Sequence, residues 1–131
     1  MELKHLSPIL WTKDLKASVQ FYTDILGFRA QSNFPNFASL QKGDVEIMLV
    51  VPVEEPEDCK DPDNKESFFD KPRLTGSIYI TVAGVDAIWE SVKDRAIIES
   101  GITDREYGMR DFSIRDNNGY ELVFGENIEK G

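Results

Sequence analysis

The chain has 131 residues, 40% of them hydrophobic and 30% charged, which is enough for one domain with a buried core. Twenty-four acidic against fifteen basic residues give a net charge of −9, a balance that repels nucleic acid and anionic membrane surfaces. No apolar run reaches the roughly 20 residues of a membrane span, and the opening MELKHLSP lacks the pattern of a signal peptide, so a cytoplasmic protein is expected. Cys59 has no partner cysteine and no nearby histidine, which gives neither a disulfide nor a thiolate nucleophile any support.

Taken in order, residues 4–12 alternate as a first strand: Leu6, Pro8 and Leu10 point one way and His5, Ser7, Ile9 and Trp11 the other, with Pro8 unable to donate a ladder bond. Asp14 is placed to cap a helix whose stripe is Leu15, Val19, Tyr22 and Leu26, ended by Gly27. Strands follow over 28–33, 37–42 and 45–51, the last two joined by a Gly43-Asp44 turn. In the fourth strand Val45, Ile47, Leu49 and Val51 should meet the helix, leaving Glu46, Met48 and Val50 on the opposite face. Residues 53–73 form an acidic, proline-containing linker in which Phe68 and Phe69 could pack as a lid or at an interface, with packing onto the body the plainer reading.

The second half repeats the first. A shift of 70 positions superposes Ser7 on Ser77, Leu15 on Val85, Val19 on Trp89, Tyr22 on Val92 and Leu26 on Ala96, so the apolar register is kept. A strand over 75–82 and a helix beginning near Asp86 precede a strand over 97–106 that Gly101 should interrupt. A closing hairpin over 107–126 then turns at Asp116, Asn117, Asn118 and Gly119. This gives an α+β chain of two modules, 1–52 and 74–131. In both modules one strand face is uniformly apolar. The other mixes His5, Ser7, Trp11, Glu46, Met48, Ser77, Tyr79, Asp111, Ser113, Glu121 and Val123, a mixture that suits an apolar-walled pocket with a few directional polar groups. Packing against a partner subunit is the competing use of such a face.

The stretches TKDLKASVQFYTDILGF, GDVEIML and EYGMRDFSIRDNNGYELVFGE together resemble the vicinal oxygen chelate superfamily, which includes glyoxalase I, bleomycin-resistance proteins and extradiol dioxygenases. The resemblance implies two βαβββ modules whose eight strands form an open cup with the helices packed outside, usually in a homodimer. It also places the metal positions of that superfamily at Ser7, Met48, Ser77 and Val123, which are not metal ligands. The chain is therefore expected to use no cofactor and to sequester a small molecule, as bleomycin-resistance members do, and catalysis is not indicated. A cationic or aromatic ligand such as an antibiotic would meet Trp11, Ser39, Glu46, Met48, Ser77, Tyr79, Asp111 and Glu121. The alternative is a metal-dependent lyase, isomerase or dioxygenase with a displaced site of His5, Glu46 and Glu121, each two residues before a superfamily position.

Overall fold

A computed structural model describes residues 1–31, 35–52, 74 and 76–129, and the expected linker, with Phe68 and Phe69, lies outside them. The chain divides into two compact units, Met1–Arg73 and Leu74–Gly131. In the first, strand β1 (Ile9–Trp11) leads into helix α1 (Leu15–Gln20), which continues through a π-helical turn at Phe21–Ile25. Strands β2 (Arg29–Gln31), β3 (Phe37–Lys42) and β4 (Val45–Val50) follow. In the second, β5 (Ser77–Thr81), helix α2 (Val85–Val92), β6 (Ile97–Asp104), β7 (Met109–Arg115) and β8 (Glu121–Asn127) repeat that order. Each module is thus βαβββ, and the sheets run β1-β4-β3-β2 and β5-β8-β7-β6. The first strand of each sheet lies parallel to the last. A parallel neighbour cannot be reached by a tight turn, so the helix carries the crossover and covers one sheet face.

That covered face is the core. Leu10, Ala38, Leu40, Ile47 and Leu49 are buried with Tyr22, Leu26 and Phe28 in the first unit, and Ile80, Phe112, Ile114, Leu122 and Phe124 with Val85 and Val92 in the second. Phe112 packs on Phe124 with ring centroids 5.4 Å apart and on Trp89 at 5.2 Å. Val45 and Val51, expected to meet the helix, are only half-buried at the two ends of the fourth strand.

Several boundaries differ from expectation for local reasons. The first strand is three residues long, because Pro8 has no N–H to extend the ladder; its carbonyl still accepts from the Met48 N–H at 2.9 Å. His5, Leu6 and Ser7 therefore precede the strand, with Leu6 exposed. Asp14 caps α1 as expected, accepting from the Ala17 N–H at 3.0 Å. The buried stripe includes Ser18, joined to Thr12 by a 2.7 Å hydrogen bond, whereas Leu15 and Val19 are half-buried. The β6–β7 pairing shifts register between Ile98 and Ser100 and again between Ser100 and Thr103, which brackets the interruption expected at Gly101. In the β7–β8 turn only Gly119 takes a positive φ, 90°. Asp116, buried, accepts from the Asn118 and Tyr120 N–H groups at 2.8 and 2.9 Å and holds the turn from inside.

The two helices start differently. Where Asp14 caps α1, the matching position is Gly84 at φ 75°, with no side chain to offer. Glu126 of β8 supplies the missing acceptor, taking the Gly84 and Val85 N–H groups at 2.9 and 3.1 Å. Those two bonds hold its carboxyl below the usual glutamate range. No helix among the described residues is long and apolar enough to cross a membrane.

Because the Glu126 pKa is depressed by folding, its contribution is complete above the ordinary value of 4.5 and is lost as pH falls through the folded value. Glu126→Gln is expected to lower Tm at neutral pH, and the gap from wild type should close in acid, which thermal melts across a pH series would show.

Candidate functional site

The uncovered face of the first sheet is graded along its strands. Register places Trp11, Phe37 and Val50 in one row, Ile9, Ser39 and Met48 in the next, and Gln41 opposite Glu46 beyond them. At the apolar end Trp11, Asn36, Phe37 and Val50 line a cavity of about 600 Å³. At the polar end His5, Gln41, Asp44 and Glu46 line another of about 670 Å³. Glu46 is held from three sides: Ser39 donates to Oε2 at 2.6 Å, Ser7 to Oε1 at 2.7 Å, and Gln41 to Oε2 at 3.4 Å. The serine bonds keep its carboxyl below the ordinary glutamate range despite the cost of burial, with a smaller contribution from His5. These hydrogen-bond donors are neutral dipoles, two hydroxyls and an amide, so among the described residues no cationic side chain is hydrogen-bonded to Glu46.

The uncovered face of the second sheet is built differently. Asp111 is 2% exposed and accepts from three side chains. Arg105 Nε reaches Oδ1 at 2.7 Å, while the Tyr107 and Tyr79 hydroxyls both donate to Oδ2, at 2.7 and 3.0 Å. Arg105 Nη2 also donates to Ser100 Oγ at 2.9 Å. Burial pushes the Asp111 carboxyl up, but the bonds from Tyr107, Arg105 and Tyr79 outweigh it and hold it below the ordinary aspartate range. Burial, and then Asp111 itself, push the Tyr79 phenol up to about 12. Tyr79 reaches Asp111 from β5 by lying across Gly125 of β8, where any Cβ would overlap the Tyr79 ring and hydroxyl. Gly125 is present because the ring occupies its side-chain space. Ser77 and Glu121 pair across β5 and β8 at the far end of this face. Two residues along β7 from Asp111, Ser113 buries a hydroxyl with no hydrogen-bond partner among the described residues.

The model of the Glyoxalase/Bleomycin resistance protein/Dioxygenase superfamily matches residues 2–124. The chain belongs to this superfamily. A bleomycin resistance protein from Geobacillus stearothermophilus is 29% identical over 129 residues, covering 93% of this chain and 96% of that protein, and one from Staphylococcus aureus matches to the same extent. Among solved structures, TioX from Micromonospora sp. ML1 superposes with a TM-score of 0.74 at 20% identity, over 95% of this chain and 98% of that one. A glyoxalase/bleomycin resistance protein/dioxygenase from Nocardioides gives 0.68 at 20% identity, over 100% and 88%. The two structures show the same fold.

The superfamily's metal positions in this chain do not fit a metal. Ser7 spends its hydroxyl on Glu46, Met48 sits mid-face between Ile9 and Ser39, and Ser77 and Val123 add neither imidazole nor carboxylate. Among the described residues no group of three or more histidine, cysteine, aspartate or glutamate side chains is gathered so as to hold an ion. Of the site residues expected from sequence, the structure brings Ser39, Glu46, Met48 and Trp11 onto one face of the first sheet, and Ser77, Tyr79, Asp111 and Glu121 onto one face of the second. Arg105 and Tyr107, which organise Asp111, were missed. They sit in the turn between β6 and β7, where strand alternation gives no facing.

Gly125→Ala is expected to displace Tyr79 and cost about 1–3 kcal/mol in urea unfolding, and to be nearly neutral in a Tyr79→Ala background. Ser113→Ala removes an unsatisfied hydroxyl and is expected to leave stability unchanged or raise it by about 1 kcal/mol in the same assay.

Proposed function

We propose that this protein sequesters a small molecule bearing a cationic or aromatic group, without metal, on the uncovered faces of its sheets. The observation that carries the reading is the gradient on the first sheet, from Trp11, Phe37 and Val50 at one end to Glu46 at the other. Val50 lies four residue steps along the strand from Glu46, about 13 Å, so an elongated ligand would lay a planar apolar part against Trp11 and a cationic end against Glu46. Met48 between them offers an adaptable thioether wall, and Ser39 a hydroxyl already committed to orienting the carboxylate. The second sheet offers a surface of its own in Ser77, Tyr79 and Glu121, with Asp111 acting through Tyr79. The name of the curated relatives, bleomycin resistance protein, supports an antibiotic as the class of ligand. A homodimer in the cytoplasm is the assembly and location we infer from the same kinship.

The test is a panel of cationic aromatic compounds scored by quenching of tryptophan fluorescence, with Trp11→Phe separating the Trp11 signal from that of Trp89. Glu46→Gln is expected to weaken cationic ligands about tenfold and neutral aromatic ones little, as read by calorimetry. Because folding depresses the Glu46 pKa, binding should persist as pH falls to 4.5 and decline below it. One equivalent of tightly bound metal per chain in protein purified without chelator, lost on His5→Ala, would overturn the metal-free reading.

A further inference from the structure

The second sheet carries a pair of acceptors whose chemistry follows from the hydrogen bonds behind them. Tyr79 and Tyr107 come from different elements, β5 and the turn between β6 and β7, yet both hydroxyls donate to the same oxygen, Asp111 Oδ2. A phenol has one proton, so each of these oxygens has already committed its only donor and has lone pairs alone to offer outward. Both phenols keep that proton at neutral pH, since each titrates above the ordinary tyrosine value. Donation to a carboxylate also polarises the phenol oxygen and makes it a stronger acceptor. The carboxylate itself is sealed, 2% exposed, and Arg105 neutralises it from the Oδ1 side while anchored on Ser100. The tyrosines are 43% and 62% exposed and the Arg105 side chain 30%, so solvent meets the two phenols and part of the Arg105 side chain but not the carboxylate beneath them.

We propose that Tyr79 and Tyr107, whose hydroxyls share the acceptor Asp111 Oδ2, form a two-pronged acceptor for a planar N–H donor group of the amidinium or guanidinium class. Two neighbouring acceptors match the two adjacent N–H bonds that such a group presents, and partly exposed aromatic side chains favour a delocalised cation. Asp111 is here a positioning residue: it sets the direction of both phenol protons and thereby the polarity of the site. Gly125 belongs to the same device, because its missing side chain lets Tyr79 lie over β8 and reach the carboxylate. This inference rests on the reading of the protein as a small-molecule binder and specifies the chemistry of its second face.

The test uses benzamidinium and benzoate, planar probes of similar shape and opposite hydrogen-bonding polarity. In protein carrying 13Cζ-labelled tyrosine, benzamidinium is expected to shift the Tyr79 and Tyr107 resonances in wild type and in Glu46→Gln alike, and benzoate to shift neither. Tyr107→Phe and Tyr79→Phe, which keep the rings and remove the oxygens, should each weaken benzamidinium about tenfold by calorimetry. Asp111→Asn is expected to abolish the preference for benzamidinium over benzoate; should it fail to fold, the two Tyr→Phe variants carry the same test. Benzoate binding with benzamidinium excluded would overturn the proposal and assign the site to Arg105. Benzamidinium binding that leaves both tyrosine resonances unmoved would overturn it too, yet leave the first-sheet binding reading intact. If benzamidinium does not bind at all, the acceptor pair is refuted, whereas the sequestering function falls only if the Trp11 fluorescence panel is also blank.

Discussion

Parallel pairing of the first and last strands is the constraint on which each module depends. β1 lies beside β4, and β5 beside β8, in a direction no tight turn can supply, so the chain must leave the sheet edge and return by a crossover. The helix makes part of that journey, and it can do so only on one face. Everything else follows from this asymmetry. The covered face must be apolar, and it is, down to Leu49 and Phe112 at full burial. The uncovered face escapes the demand for apolar packing, and the chain places there the side chains that a core would reject. The two faces alternate residue by residue along a strand, so Glu46 stands one position from buried Ile47, and Asp111 one position from buried Phe112.

The two modules share one plan and differ in how they complete it. Their strand order and crossover are the same, yet the helix N-termini are satisfied by different means. Asp14 caps its helix from the adjoining residue, whereas Gly84 leaves the work to Glu126, some forty residues on, from the last strand of the sheet. The second arrangement ties the helix start to the strand that also carries Gly125, and hence to the geometry of Tyr79. Where the first helix has a local cap the second has a long-range one, which couples the helix start to the uncovered face.

The fold was legible because period-two and helical spacing survive in 4–51 and again at a 70-residue offset, and because turn chemistry marks Gly27, Gly43 and Gly119, all with positive φ. What could not be read was set by contacts between segments far apart in sequence. Alternation placed Tyr79 and Asp111 on one face, but their bond depends on a glycine in a third strand between them. The β6–β7 turn has no periodicity from which to orient Arg105 and Tyr107. Ser7 was assigned to a strand face and lies before the strand, yet it still finds Glu46, since Pro8 ends the ladder without redirecting the chain away from β4. Identity of residue types was therefore readable where their wiring was not.

That wiring decides what two superficially similar carboxylates can do. Glu46 and Asp111 both lie on uncovered sheet faces, both are partly or wholly withdrawn from water, and both are held below their ordinary pKa ranges. Glu46 is stabilised chiefly by two hydroxyls and an amide, which solvate the charge without cancelling it, so its field still reaches a ligand. Asp111 is bonded to a guanidinium, which cancels the charge at a distance, and its influence passes outward only through the direction it imposes on two phenol protons. On the proposed reading one carboxylate would attract by charge and the other select by hydrogen-bond polarity. On that reading each face favours the same kind of guest, one that brings positive charge or N–H donors on a planar frame, although the two faces would reach that preference by different physics.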